Sequence, residues 1–313
     1  MAIRRALITG ASGFIGSHLA RSLIRTGWSV VAVGRSNAAA GRLGDIRDQI
    51  EFAEADLCDR QGLERAIENA SPDVIFHLAA DTSVRRFDGN WDAVDRALDT
   101  NFKGTLNLVR AAQASGSVKS LIRTGGLEEY GRGVVPSDEE QREEPTSPYS
   151  ASQTAATHWC QMLQPYLDFS VVTLRPALTY GPGQDNSFLI PALIQALLRG
   201  QRFTINSMHR RDYVYIDDLI AAMLLVAARA DPLGGRVINI SSAKACSVPD
   251  VGQTIARLMQ KEHLLDVRDA PSPGALETVQ GRNDLALKLL NWEPKVGLEE
   301  GLQRTIASYS RRL

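Results

Sequence analysis

The sequence predicts an α/β fold: a doubly wound parallel sheet followed by a smaller, irregular C-terminal lobe. Three observations carry that expectation. Short apolar runs alternate with helical patterns at βαβ spacing, the first run opens directly onto a glycine-rich turn, and beyond Thr179 clusters of Gly and Pro break the chain into shorter pieces. The 313 residues suffice for one large unit or two unequal ones. The change of texture divides them into residues 1–178 and 179–313, with some of the later chain returning to the first sheet.

Ile3 to Ile8 reads as a buried strand, and Phe14 to Thr26 as the helix that follows it. Ile15, Leu19 and Leu23 recur every four residues and mark the buried stripe of that helix. Gly27 is placed to end it in a left-handed conformation. Trp28–Val33, Asp73–His77, Leu121–Arg123 and Val171–Arg175 are further strand-like runs, with helical patterns over Trp91–Ala114 and Ser150–Leu163. Alternation at this spacing implies right-handed crossovers and a sheet covered on both faces. In the second part Gly181-Pro182-Gly183, Asp231-Pro232-Leu233-Gly234-Gly235 and Pro271-Ser272-Pro273-Gly274 punctuate short elements. There is no internal repeat.

Composition narrows the function classes. Hydrophobic residues at 44% and charged residues at 23% describe an ordinary globular chain. A formal net charge of −1 gives no electrostatic reason to expect nucleic acid or an anionic membrane as partner. Apolar runs such as Leu219–Ala228 are too short to cross a bilayer, and the N-terminus lacks a signal-peptide layout. Cys58, Cys160 and Cys246 are far apart with no metal-ligand spacing, so reduced thiols, a cytoplasmic location and no bound metal are expected.

The segment Gly10-Ala11-Ser12-Gly13-Phe14-Ile15-Gly16 joins the first strand to the first helix. Glycines there allow a tight turn, bare backbone against a pyrophosphate and close helix–strand packing, while the helix N-terminus offers unpaired N–H groups to phosphate. This is the dinucleotide-binding turn of a Rossmann-type unit. Its Gly-x-x-Gly-x-x-Gly spacing resembles the short-chain dehydrogenase/reductase superfamily, and in particular its extended branch, the NAD(P)-dependent nucleotide-sugar epimerases and dehydratases. Further segments match in order: Asp56-Leu57-Cys58-Asp59, His77-Leu78-Ala79-Ala80, Asn101, Tyr130-Gly131, Tyr149, Arg175…Tyr180-Gly181-Pro182, Arg211-Asp212-Tyr213 and Arg282-Asn283-Asp284.

By that resemblance Leu57, Leu78, Ala79 and Ala80 line the dinucleotide, and Asp56 accepts from the adenine amino group; the plainer alternative for Asp56 is a strand-end cap for the next helix. The second strand ends in Gly34-Arg35-Ser36 rather than in a carboxylate. Nothing there repels a 2′-phosphate, and Arg35 and Ser36 can contact one, so the strand end favours NADP over NAD as the NAD(P) cofactor. Alternatively Arg35 stacks on the adenine or turns to solvent.

The resemblance implies a Tyr-x-x-x-Lys pair and a Ser or Thr four residues before the Tyr-Gly dipeptide. Here Tyr149 keeps the Tyr, Gln153 stands in the Lys position and Gly126 in the Ser/Thr position. An ordinary Tyr, with a pKa near 10, is only about 0.1% phenolate at neutral pH. Gln153 can donate to a cofactor ribose but brings no charge, so Tyr149 is better suited as acid or donor than as base. Glu128 matches the carboxylate with which family dehydratases remove a carbon-bound proton; the competing reading is a solvated Glu128–Glu129 pair. Thr124 can supply the missing hydroxyl only if its loop is shifted. Arg123, at the end of an apolar strand, reads first as a side chain turned to solvent and second as a cation replacing the missing Lys.

On the substrate side, Arg211 and Arg282 occupy the positions of the Arg pair that grips a nucleotide sugar's diphosphate, a task for which guanidinium forks are suited. The plainer readings are an Arg211–Asp212 ion pair and a solvent-exposed Arg282. Leu178 replaces an Asn frequent in the family, which leaves the sugar undefined. The helices over Trp91–Ala114 and Ser150–Leu163 resemble those that pair across a two-fold axis, implying an isologous homodimer. The expected function is an NAD(P)-dependent epimerase/dehydratase-like oxidoreductase working by transient sugar oxidation with atypical acid–base residues. The alternatives are a 4-keto-sugar nucleotide reductase and a dinucleotide-binding regulator that has lost catalysis.

Overall fold

A computed structural model of the chain describes residues 4–35, 37–269 and 276–310. Ile3, Ser36 and the Pro271–Gly274 cluster lie outside the described residues. The first half contains β1 (Arg5–Thr9), α1 (Phe14–Arg25), β2 (Ser29–Gly34), β3 (Glu51–Glu54), α2 (Arg60–Ala70), β4 (Val74–His77), α3 (Trp91–Ala97), α4 (Gly104–Ser115), β5 (Ser120–Thr124), α5 (Pro148–Leu163) and β6 (Ser170–Pro176). There follow β7 (Leu178–Tyr180), α6 (Leu189–Leu198), β8 (Phe203–Ile205), β9 (Arg210–Tyr215), α7 (Ile216–Arg229) and β10 (Val237–Ile240). The last elements are β11 (Ala245–Ser247), α8 (Val248–Leu258), β12 (Leu265–Val267), β13 (Thr278–Val279), α9 (Asp284–Leu290) and α10 (Leu298–Ser310).

Two compact units result. The first comprises residues 1–132, 142–175 and 220–238; the second comprises 133–141, 176–219 and 239–313. The first is built on a seven-stranded sheet of order β10-β6-β5-β4-β1-β2-β3, in which the neighbours from β6 to β3 pair in parallel. This is the predicted Rossmann-type sheet. Its strands are apolar on both faces because helices cover both. Leu7, Ile75, Leu121 and Val171 of the strands pack with Leu63 and Ile67 of α2 and Leu108 and Val109 of α4 in one core. Each such fully buried side chain contributes roughly 1.5–3 kcal/mol.

In α1, Leu19 and Leu23 are fully buried as the spacing predicts, and Gly27 follows with φ +81°. The helix predicted over Trp91–Ala114 is interrupted by a π-turn, Leu98–Lys103. That turn carries Asn101, whose amide accepts from Asp81 N (2.7 Å) and donates to Asp81 O (3.0 Å) and Ser152 Oγ (3.0 Å), fastening the 81–90 segment to α5. The edge strand β3 and helix α2 are additions to the sequence reading.

The second unit centres on β9, which pairs with β11 antiparallel and with β13 and β7 in parallel; β8 and β12 form a separate parallel pair. Helices α6, α8 and α10 pack on one another. No described helix is long and apolar enough to cross a membrane, and among the described residues no group of His, Cys, Asp and Glu is arranged to hold a metal. The three cysteines are free thiols.

Candidate active site

The strand order reverses between β1 and β4, and in parallel sheets ligands bind outside the carboxyl ends of strands at such a point. Both flanks of this switch point are glycine turn or backbone. Gly10 has φ +73°, and a Cβ there would lie 2.7 Å from Ala79 N, so the turn after β1 sits directly against the chain leaving β4. A Cβ at Gly16 would strike the Gly10 carbonyl. Gly13 caps α1 without any side-chain hydrogen bond, so the first-turn N–H groups of Phe14, Ile15 and Gly16 stay available. Bare backbone and open donors fit the pyrophosphate of a dinucleotide.

The other residues expected around a dinucleotide stand along the same strand-end edge. Ser12 lies on the turn, exposed Arg35 follows β2, Asp56 and Leu57 follow β3, and half-buried Leu78, Ala79 and Ala80 follow β4. Asp56 Oδ1 accepts from Cys58 N at 2.8 Å, so its carboxylate orders the turn before α2 rather than capping the helix, whose N-cap is Asp59. Ser36 lies outside the described residues.

At the end of β5 the chain turns through Gly125, Gly126 and a short 3-10 turn, Leu127–Glu129. A Cβ at Gly125 would enter the Glu129 carboxylate, and one at Gly126 would lie 2.7 Å from Glu128 Oε2. The glycines make room for two carboxylates folded back on the turn, which is a physical reason for Gly at position 126. Half-buried Thr124 ends the strand just before them.

The two glutamates part company. Glu129 is buried: Oε2 accepts from Arg175 (2.7 Å) and Thr157 (2.8 Å), and Oε1 accepts from Gly126 N (3.0 Å). Arg175 also donates to Glu143 (2.7 Å) and stacks over the Tyr130 ring at 4.5 Å. Glu128 remains partly exposed, 3.9 Å from Arg85.

Tyr149 and Gln153 share a face of α5, four residues apart. Helix α5 starts at Pro148 after a Ser147 cap, and Tyr149 N donates to Val84 O at 3.1 Å. Val84 is itself buried against Ala93 and Ala97. That anchor sets Arg85 beside the helix start, with its guanidinium 5.6 Å over the Tyr149 ring. Burial and then the Glu128 carboxylate push the Tyr149 phenol well above its ordinary value, while the charges of Arg85 and Arg123 pull it down.

Arg123 corrects the first sequence reading. It does not turn to solvent but is fully buried, donating to Gln153 Oε1 (2.5 Å), Thr157 Oγ1 (2.7 Å) and Thr173 Oγ1 (3.3 Å). Because helices cover both faces of this sheet, a strand-end side chain has no solvent face to seek. Arg85 was missed altogether: it sits in an exposed, aperiodic segment that gives no sequence signal.

In the second unit, Arg211 on β9 is half-buried and its Nη1 donates to Arg210 O (2.8 Å) and Glu277 O (3.3 Å). Asp212 beside it accepts from Ser241 (2.6 Å) and Ser242 (2.6 Å). Arg282 is exposed, 3.6 Å from Asp284 and 4.0 Å from Asp138. The parallel pairing of β13 with β9 brings the segment before Arg282 alongside Arg211.

A parallel sheet with a glycine turn at its switch point is the Rossmann-type architecture of the extended short-chain dehydrogenase/reductase class. The sequence profile of the NAD dependent epimerase/dehydratase family matches residues 6–241, and the chain belongs to this family. It is 31% identical to the UDP-glucose 4-epimerase of Mycolicibacterium smegmatis, over 98% of this chain and 99% of that one. It is 28% identical to the dTDP-D-glucose 4,6-dehydratase of Mus musculus, over 98% and 89% of the two chains. The UDP-glucuronic acid 4-epimerase of Bacillus cereus, solved with UDP-glucuronic acid and NAD, superposes with a TM-score of 0.88 at 25% identity, covering 99% of this chain and 100% of that one.

Proposed function

We propose that this chain is an NAD(P)-dependent enzyme that converts a nucleotide sugar by transient oxidation of a sugar hydroxyl, as an epimerase or dehydratase with atypical acid–base groups. One observation carries the reading: Tyr149 and Glu128, the two groups able to move protons, are gathered around Arg85. Support also comes from relatives that are epimerases and dehydratases of UDP- and dTDP-sugars.

In this reading Gly10, Ser12, Gly13, Phe14, Ile15 and Gly16 hold the pyrophosphate, Asp56 and Leu57 the adenine end, and Leu78, Ala79 and Ala80 the floor. Arg35 meets a ribose 2′-phosphate and favours NADP. When bound, the nicotinamide supplies reversible hydride acceptance. Tyr149 Oη moves the sugar hydroxyl proton: burial and the Glu128 carboxylate keep the phenol protonated in the resting site, and the charges of Arg85 and Arg123 lower the cost of its releasing that proton. Glu128 removes a proton from carbon beside the transient carbonyl, Gln153 donates to the cofactor ribose, and the Thr124 hydroxyl steadies the sugar. Arg211 and Arg282 take the diphosphate.

We further propose an isologous homodimer through α3, α4 and α5, supported by exposed Trp91 (68%) and Trp159 (46%) on those elements. Three free thiols accord with a reducing, cytoplasmic setting.

The test is incubation with UDP-, GDP-, CDP- and dTDP-sugars and NAD or NADP, with products followed by mass and NMR. Conversion without net cofactor change supports the reading. In a parallel incubation with NADPH and a 4-keto nucleotide sugar, stoichiometric NADPH oxidation would assign a reductase instead, and neither turnover nor binding across the panel would refute a nucleotide-sugar substrate.

A further inference from the structure

Arg123 is the one fully buried guanidinium of the first unit's described residues that has no carboxylate in ion-pair range. Arg175, on the next strand, has two. Arg123 instead donates to the Thr157 and Thr173 hydroxyls and to Gln153, and its Nε is buried without a partner. Its neighbour across β4 offers no counter-charge either. His77 bridges Thr9 and Thr105 through its two ring nitrogens, and burial, then the Arg123 charge, hold its pKa down to about 3. The nearest carboxylate on this path, Glu129, is reached only through the Thr157 hydroxyl. A cation held out of water must be offset by hydrogen bonds, and around Arg123 neutral acceptors supply them.

The Gln153 contact shows where that charge acts. A guanidinium only donates hydrogen bonds, so the Gln153 amide must turn its oxygen to Arg123, at 2.5 Å. Its NH2 group then points the other way and has no hydrogen-bond partner among the described residues, although the side chain as a whole is buried. Gln153 lies one helical turn after Tyr149 on the same face. The buried charge therefore polarises a donor on the same face of α5 as Tyr149.

We propose that Arg123 is the positioning residue of this site: it locks the Gln153 amide with its N–H bonds outward and, acting with it, supplies the positive charge of a cationic donor next to Tyr149. The inference rests on Tyr149 being the proton-moving group of the proposed function. Arg123 and Gln153 divide between them what one cationic side chain at position 153 would do alone.

The experiment moves the charge. Three variants, Arg123→Met, Gln153→Lys and the double Arg123→Met/Gln153→Lys, are compared with wild type. Tyr149 is replaced by a polyfluorinated tyrosine, whose lower intrinsic pKa brings the raised phenol into the range where the protein stays folded, and is titrated by ultraviolet difference spectroscopy against Tyr149→Phe; the pH profile of kcat is recorded with the nucleotide sugar that turns over. Arg123→Met should raise the phenol titration and the matching limb of the kcat profile, with a smaller effect on KM. Each pH unit of that rise cuts the phenolate about tenfold at fixed pH. Gln153→Lys places a second cation against Arg123 and should lower activity, whereas the double variant should recover at least tenfold over either single one, on the order of one pH unit of phenol titration. If Arg123→Met does not fold, the double variant decides alone, since the proposal requires it to fold and its phenol to titrate no higher than wild type. An unmoved phenol in Arg123→Met, or a double variant no better than the worse single one, overturns the proposal. The phenol titration needs no substrate, so the proposal stands or falls on it even if no nucleotide sugar is converted.

Discussion

Arg175→Met removes the cation from a pair in which both partners are sealed from water. Arg175 and Glu129 are 0% and 1% exposed, 2.7 Å apart, and Glu143, the second carboxylate on the same guanidinium, is 13% exposed. Neither carboxylate can recover its lost hydration by a small movement, so the loss falls in the range for breaking a buried pair, about 3–5 kcal/mol at neutral pH. That is a third or more of the stability of many domains. The pH dependence fixes the cause. Burial pushes Glu143 up, but the Arg175 hydrogen bond and charge together leave it below its ordinary value. A depressed carboxylate contributes stability above its unfolded value, about 4.3, and loses it as the pH falls through the lower folded value. In the variant that contribution is absent, so the gap between wild type and variant should be widest near neutrality and narrow towards acid. Urea unfolding at several pH values, followed by circular dichroism, measures both. A gap under about 1 kcal/mol at neutral pH would mean that water reaches these carboxylates, and a gap that ignores pH would make the role of Arg175 steric.

Three further outcomes follow from single contacts. Arg35→Ala should weaken NADP binding by about tenfold or more, a charge-assisted contact of about 1.5–3 kcal/mol, and leave NAD nearly untouched; equal affinities before and after would remove the 2′-phosphate role, as read by titration calorimetry. Gly126→Ser meets only the flexible end of Glu128 and should fold while displacing that carboxylate, whereas Gly125→Ala meets Glu129, locked in its ion pair, and should lower the melting temperature by several degrees. Equal melting temperatures would contradict the turn geometry. Trp159→Glu puts a charge on the exposed face of α5 and should shift the chain towards monomer in sedimentation experiments; an unchanged distribution excludes that face as the interface.

The parallel sheet and its glycine turn were legible because their signals are local. Apolar runs, a helical stripe at Leu19 and Leu23, and three glycines at fixed spacing each report on a few neighbouring residues. Strand β3, Glu51-Phe-Ala-Glu, escaped because an edge strand with exposed ends has no apolar run to show, and the α2 segment has low hydropathy over most of its length. The π-turn at Leu98–Lys103 keeps helical periodicity on either side and so reads as one helix. The candidate site is marked in the sequence only by Tyr149, Gln153 and Glu128, which come from the resemblance to family motifs, whereas their environment comes from segments distant in sequence. Arg85 depends on the Val84–Tyr149 hydrogen bond, and Arg123 on the helix lying across its strand. A charged residue inside each of two apolar strands, Leu-Ile-Arg-Thr and Thr-Leu-Arg-Pro, was nonetheless a visible sign of a buried polar layer.

That layer bears on whether the two departures at the active site signify decay. By the family resemblance Gly126 and Gln153 each stand where a more usual residue is expected, and a chain drifting away from catalysis would be expected to leave the gaps unfilled. Here each gap is matched by a neighbour. Glu128 and Glu129 fold into the space that a side chain at positions 125 and 126 would occupy, and the guanidinium of Arg123 binds the amide of Gln153. Three guanidinium groups, Arg85, Arg123 and Arg175, stand with three carboxylates, Glu128, Glu129 and Glu143, so the cluster is formally neutral. A Lys at position 153 would add a fourth cation beside a buried one, at a cost that the remaining carboxylates, already engaged, could not offset. Gln at 153 is therefore the residue that Arg at 123 permits, and the two positions form one electrostatic unit. On the proposed function, proton transfer at Tyr149 then depends on charge placed one side chain deeper, which is why relocating that charge, rather than deleting it, distinguishes a rebuilt site from a lost one.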